Sequence, residues 1–181
     1  MKMKAEGKTG GISIFLVSDR NYASKMKELA CSIYSNYSRI CYVSLNKPCG
    51  TVSDNLKKWG ANPGKFFIID CTGKQEKGGG QVVFVSSPKA LTEMSITTGK
   101  VIDLGKIEAL IFDSLSTLLA YEEPFTVVKF MHSLISVFRA KKVIGVLVCL
   151  EGGKNTELVK DISMFADRVV AAYPSKVQSR A

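Results

Sequence analysis

The sequence predicts an α/β fold in which helices cover both faces of a mainly parallel β-sheet. Two observations support this fold class. Strand-like and helix-like segments alternate along most of the 181 residues, as they do in folds built from β–α–β units. Most strand-like segments are continuous apolar runs, which is typical of strands buried on both faces. A chain of this length needs only one core, so we expect a single domain over residues 1–181 with flexible basic tails at 1–10 and 174–181.

Seven segments have the apolar composition of strands. They are 12–18, 40–45, 66–70, 82–86, 108–113, 143–150 and 167–172. The longest uninterrupted apolar run, Val143 to Leu150, is far shorter than the roughly 20 residues that a helix needs to cross a bilayer. No N-terminal stretch has the layout of an export signal. We therefore expect a cytoplasmic protein without membrane contact.

Apolar residues at three- and four-residue spacings predict the helices. The predicted helices are 21–37, 51–60, 88–97, 124–140 and 154–164. In the second, Thr51-Val-Ser-Asp54 resembles a capping box. Pro88 suits the first turn of the third helix, which we expect to break at Thr98-Gly99-Lys100.

Glycines and lysines dominate the segment between the third and fourth strands. Gly73 and the triplet Gly78-Gly79-Gly80 lie within residues 71–81. A phosphate-binding loop stands between a strand and a helix, whereas this segment leads into another strand. We therefore interpret it as a flexible loop.

The chain is basic, with 25 lysines and arginines against 16 acidic residues and a net charge of +9. A basic surface can attract nucleic acid or other anionic partners. No basic motif flanked by aromatic residues is present, however, so we interpret the charge as dispersed lysines that keep the domain soluble.

Cysteine and histidine usage argues against several kinds of site. The five cysteines are odd in number and none forms a C-x-x-C pair, so we expect reduced, mostly buried thiols. His132 is the single histidine, which leaves few ways to build a zinc site or a Ser-His-Asp triad. We therefore expect no metal site.

The turn after the first strand is where a phosphate-binding loop, G-x-x-x-x-G-K-[ST], would lie. The stretch here is Asp19-Arg-Asn-Tyr-Ala-Ser-Lys-Met26. Lys25 occupies the position of the motif lysine, but Asp19 and Ser24 replace the two glycines that let backbone amides approach phosphate. Met26 replaces the hydroxyl and cannot coordinate Mg²⁺, which prefers oxygen. Lys25 is therefore either a remnant of such a loop or an ordinary helix lysine.

The strand that ends Leu110-Ile-Phe-Asp113 leads directly into Ser114. Such a carboxylate is similar to the one that positions Mg²⁺ in nucleotide hydrolases. Asp113 or Ser114 could instead cap a helical turn that begins at Leu115. The sequence leaves both interpretations open.

Several segments resemble archaeal proteins related to KaiC and RecA. They are Glu108–Tyr121, Val128–His132, Phe138-Arg139 and Met164–Val170. The resemblance implies a three-layer RecA-like fold of the P-loop NTPase type, with ATP bound between subunits. Members of this family usually carry an acidic pair after the second strand, one member of which orients the attacking water. This chain has Asn46 and Lys47 there, so the implied base is absent as well as the loop.

These observations lead to three hypotheses. The first is a non-catalytic RecA/KaiC-like domain that acts in regulation or signalling through a protein partner or self-association, without a cofactor. The second is a nucleotide-binding protein or weak ATPase that holds ATP and Mg²⁺ in an altered loop. The third is an accessory nucleic-acid-binding protein, suggested only by kinship and charge. The residues of the degenerate nucleotide site are Asp19, Ser24, Lys25, Asp113 and Ser114.

Overall fold

A seven-stranded parallel sheet forms the centre of the domain. The computed structural model describes residues 10–73 and 81–172. The strands are β1 (Ile12–Val17), β2 (Ile40–Ser44), β3 (Phe66–Asp70), β4 (Gln81–Phe84), β5 (Ala109–Asp113), β6 (Ile144–Leu150) and β7 (Arg168–Ala171). Their order across the sheet is β4-β3-β2-β5-β6-β1-β7, and every neighbouring pair is parallel. Each predicted strand is confirmed to within two residues at either end.

Helices cover both faces of this sheet. They are α1 (Tyr22–Asn36), α2 (Cys49–Lys58), α3 (Leu91–Gly105), α4 (Leu115–Leu118), α5 (Pro124–Ala140) and α6 (Asn155–Ser163). The helices α1 and α2 contribute buried residues to the apolar cluster on one face. The other four contribute to the cluster on the opposite face. The expected three-layer α/β architecture is therefore confirmed.

The predicted end of the third helix is wrong. Helix α3 begins at Leu91 and continues through Thr98, Gly99 and Lys100 to Gly105. Glycine in a helix costs only about 1 kcal/mol relative to alanine. The next residues, Val101 and Ile102, are buried in the core, and burying two such side chains is worth more than that cost.

The predicted capping box at Thr51 is also wrong, because α2 already begins at Cys49. A carboxylate from another element accepts a backbone N–H of the first turn of α2 instead. The Cys49 N–H donates to Oδ2 of Asp70, at the end of β3, over 2.7 Å. The other oxygen, Oδ1, accepts from the Thr72 N–H at 2.9 Å and from its hydroxyl at 2.7 Å. Asp70 thereby ties the start of α2 to the carboxyl edge of the sheet.

Some predictions concern residues outside the described ranges. These are the glycine triplet 78–80 and almost all of the two predicted tails. The five cysteines are free thiols, and all but Cys31 are buried, as expected. No described helix is long and apolar enough to cross a bilayer.

Candidate functional site

The carboxyl edge of the sheet is where ligands bind in open α/β folds, and a buried carboxylate lies there. Asp113 is the last residue of β5 and is completely buried. Three side chains from other elements reach it: Tyr22 at the start of α1, Tyr42 in β2, and Lys47 in the loop after β2. We call these four residues the Asp113 cluster.

Both oxygens of the Asp113 carboxylate are engaged. The Tyr22 hydroxyl donates to Oδ1. The Tyr42 hydroxyl donates to Oδ2 at 2.6 Å, and the Lys47 ammonium lies 3.3 Å from the same oxygen. A buried carboxylate is tolerated only when it is paired and hydrogen-bonded, and this arrangement meets that condition.

Lys47 brings a positive charge to the mouth of the cluster. Its Nζ donates to the Tyr22 hydroxyl over 2.8 Å and lies 4.3 Å from the centre of the Tyr22 ring. The loop that carries it is fixed by Ser44, whose hydroxyl donates to the Lys47 carbonyl at 2.7 Å. The hydrogen bonds therefore run from Lys47 through Tyr22 to Asp113, an arrangement in which each bond polarises the next.

The two phenols are held in their neutral, proton-donating form. Burial raises the pKa of the Tyr22 hydroxyl, and the adjacent Asp113 charge and hydrogen bond raise it further. Burial likewise raises the pKa of Tyr42 well above its ordinary value, with the Asp113 charge as the next cause. Since both tyrosines stay protonated, they act as donors to Asp113 at neutral pH.

The turn after β1 differs from a phosphate-binding loop in its backbone. Residues Asp19–Asn21 form a short 3₁₀ turn that leads directly into α1, and the Asn21 N–H donates to the Ser18 carbonyl at 3.0 Å. No residue from Ser18 to Met26 has a left-handed φ. The Tyr22 side chain extends from this turn to Asp113.

The sequence-predicted residues of this turn make local contacts. Asp19 is exposed, and the Ser24 hydroxyl donates to the Asn21 carbonyl at 2.9 Å. The Lys25 ammonium donates to both carboxylate oxygens of Glu28, one turn along α1, at 2.9 and 2.8 Å. Among the hydrogen bonds and ion pairs of the described residues, none joins Lys25 to Asp113.

Ser114 and Asp113 do not cap α4 with their side chains. Ser114 follows Asp113 through a cis peptide bond and occupies the N-cap position of α4, without a side-chain capping bond. Its hydroxyl lies 3.1 Å from that of Thr117. The capping interpretation is therefore wrong for Asp113, whose carboxylate points into the cluster instead.

Sequence reasoning missed three members of this cluster. The sequence predicts Tyr42 only as a strand residue, Tyr22 only as a variable position of the expected loop, and Lys47 only as a residue in place of an acid. A usable signal was present: a tyrosine stands inside the expected phosphate loop, and a lysine stands where an acid is expected. Both are long side chains that can reach a buried carboxylate.

The residues present do not fit a magnesium ion and its nucleotide. The Asp113 oxygens that would face the metal accept from two hydroxyls and an ammonium. Met26, at the position of the metal-binding hydroxyl, is buried in the core below the turn. Across residues 10–73 and 81–172, no three histidine, cysteine, aspartate or glutamate side chains form a group that could hold a metal ion.

Comparisons with known proteins agree with the observed architecture. The model of a family of unknown function, DUF7504, matches residues 31–172. A solved structure, that of a KaiC-like protein from the hyperthermophilic archaeon Pyrococcus horikoshii OT3, matches with a TM-score of 0.67 and 14% identity. The match covers 94% of this chain and 75% of that one. No curated protein matches the sequence. The likeness shows that the fold is RecA-like, of the KaiC type.

Proposed function

We propose that this chain, which belongs to the DUF7504 family, is a non-catalytic RecA/KaiC-like domain that acts through protein contacts in regulation or signalling. One observation supports the non-catalytic part of the proposal. The Asp113 carboxylate is bonded to the side chains of Tyr22, Tyr42 and Lys47, so the oxygens that a metal ion would need already have partners within the chain.

Electrostatics favours the internal occupant over an external one. The Lys47 ammonium already supplies a positive charge to Asp113 at 3.3 Å. A divalent cation would have to displace it and strip two phenol donors from a completely buried carboxylate. Leaving such donors unsatisfied costs about 1–3 kcal/mol each.

The groups that phosphoryl transfer requires are also missing from their places. Phosphoryl transfer depends on positioning and on charge stabilisation. The Lys25 ammonium is paired with Glu28, and the residue expected to orient water is the exposed amide Asn46. Neither side chain supports hydrolysis in this arrangement.

Two assays test the proposal directly. Thermal unfolding should be unchanged by Mg·ATP at about 1 mM, whereas a site with a Kd of about 10 μM would add about 2.7 kcal/mol of stability. Phosphate release should equal that of a protein-free blank. Turnover that Asp113→Asn abolishes would overturn the non-catalytic assignment.

The two alternative functions are outcomes of the same experiments. If Mg·ATP stabilises the protein and Lys25→Ala removes that stabilisation, the chain is a nucleotide-binding protein or weak ATPase with an altered loop, and the non-catalytic proposal fails. If nucleic acid is the ligand, the net charge of +9 predicts a gel shift that weakens steeply as salt rises. The absence of any shift at low salt removes the nucleic-acid reading.

A further inference from the structure

The outer edge of the sheet at β4 has backbone groups that pair with no other described strand. Within the described residues, β4 pairs only with β3. The Val85 N–H, just past the strand, donates to the Asp70 carbonyl at 2.8 Å. Because successive residues of a strand direct their N–H and C=O groups to opposite sides, those of Val82 and Phe84 point away from β3. An unpaired edge of this kind is a template for another strand.

An apolar groove runs beside this edge. It lies between β4 and the C-terminal half of α3 and has a volume of about 470 Å³. We call it the edge groove; its walls include Phe67, Val82, Val83, Val101 and Leu104. Leu104 is 84% exposed and Val83 is 41% exposed, so apolar surface lies beside backbone groups that no other described strand pairs with.

The described lining of the groove carries a positive charge. Lys100 is the one ionisable side chain among the described residues that line it. It is exposed and forms no ion pair with a described residue. The nearby carboxylate of Asp103, also on α3, is already paired with Lys141 at 2.7 Å. A ligand that complements this surface carries apolar side chains and at least one carboxylate.

We propose that the edge groove binds an extended, acidic segment of a partner protein, which adds to the sheet as a strand beside β4. The segment's backbone bonds to Val82 and Phe84, an apolar side chain fills the space next to Leu104, and an acidic side chain pairs with Lys100. This mode is strand addition, in which main-chain bonds give affinity and pockets for alternate side chains give specificity. The inference rests on the proposed function, that the chain acts through protein contacts.

Selection from a random twelve-residue peptide library displayed on phage tests the inference. The full chain is the bait, and Leu104→Asp is the counter-selected variant. We expect enriched peptides in which an apolar residue and Asp or Glu lie two positions apart, because residues at that spacing face the same side of a strand. No enrichment, or enrichment of basic peptides, overturns the inference.

Variants then locate the binding. With the best peptide labelled for fluorescence anisotropy, Leu104→Asp should raise Kd at least about tenfold. Lys100→Glu should weaken binding, and a peptide with lysine in place of its acid should bind Lys100→Glu better than it binds the wild type. The matched control is Phe125→Asp, an apolar side chain on α5 that is 68% exposed and should leave Kd unchanged. Equal losses for Leu104→Asp and Phe125→Asp contradict the location.

Methylation of the peptide's amides tests strand addition. Methyl groups on alternate amides that face β4 should abolish binding, whereas the same number on the intervening amides should leave it unchanged. Equal effects of the two sets contradict a strand-like mode.

If light scattering shows a wild-type dimer that Leu104→Asp dissociates, a second copy fills the groove and the peptide proposal fails. None of these outcomes depends on nucleotide binding, so the proposed function is judged separately.

Discussion

The ammonium of Lys47 lies 3.3 Å from Oδ2 of Asp113, and this contact joins the loop after β2 to the end of β5. The carboxylate is completely buried, whereas the lysine side chain is 28% exposed. The pair therefore lies at the boundary between the core and the solvent: the carboxylate is desolvated, whereas the ammonium remains partly hydrated. In this position the lysine supplies the counter-charge of Asp113 at the carboxyl edge of the sheet.

Replacing Lys47 by methionine should destabilise the fold. The variant leaves a buried carboxylate without its counter-ion, and we expect a loss of about 1–3 kcal/mol in the free energy of unfolding, since partial exposure reduces the cost of breaking a fully buried pair. Urea denaturation measures it. The matched control is Lys25→Met, whose side chain is also 28% exposed but pairs with an exposed Glu28; it should change stability by less than about 0.5 kcal/mol. Equal losses in the two variants would contradict a special role for the buried pair.

The tyrosines of the Asp113 cluster predict a loss of stability at alkaline pH. The pKa of Tyr42 is raised in the fold, so its contribution is complete below the unfolded-state pKa of about 10 and decreases as pH rises above it. At pH values where Tyr42 is ionised in the unfolded chain but still protonated in the fold, the free energy of unfolding decreases by about 1.4 kcal/mol more per pH unit because of this residue. Urea titrations from pH 8 to 11 should show a shallower fall for Tyr42→Phe than for the wild type. Parallel curves would mean that Tyr42 titrates alike in both states.

Two glycines predict opposite responses to alanine. Gly99 lies inside α3, and a Cβ there meets nothing within 4 Å, so Gly99→Ala should stabilise by about 0.5–1 kcal/mol. Gly145 lies in β6, where a Cβ would stand 2.8 Å from Ile12 Cδ1 and 2.9 Å from Phe138 Cδ2. Gly145→Ala should therefore destabilise by about 1–3 kcal/mol. Thermal and urea unfolding measure both, and a destabilising Gly99→Ala would refute the observed course of α3.

Thiol labelling should single out Cys31. It is the one cysteine that is not buried, whereas burial raises the pKa of Cys71 to about 12, helped by the charges of Asp70 and Glu93. The thiolate is the reactive form, so iodoacetamide at pH 8 should modify Cys31 first, as read by mass spectrometry. Unfolding in urea should expose all five thiols. Labelling of Cys71 in the folded protein as fast as Cys31 would be inconsistent with the packing.

The sequence was sufficient for the sheet but not for every helix. Runs such as Val143 to Leu150 predict buried strands because both faces of a parallel sheet exclude water. The sequence predicts too early an end for α3 because Gly99 is a local helix-breaking signal. The burial of Val101 and Ile102 against the sheet, which decides the matter, is a tertiary effect.

The same distinction explains what was found of the site. Asp113 could be identified because an apolar strand ending in a carboxylate is a local pattern. Its partners Tyr22, Tyr42 and Lys47 come from three separate elements. Their convergence depends on strand order, with β5 between β2 and β6, and no local pattern contains that order.

A crystal structure grown with Mg²⁺ and a non-hydrolysable ATP analogue, both at about 5 mM, which is 100-fold above a Kd of about 50 μM, tests the central claim most directly. We predict that the Tyr22 hydroxyl and the Lys47 ammonium remain on Asp113 and that no triphosphate density appears beside residues 18–25. A triphosphate held there by main-chain amides, with Mg²⁺ beside Asp113 and Lys47 displaced, would contradict the account.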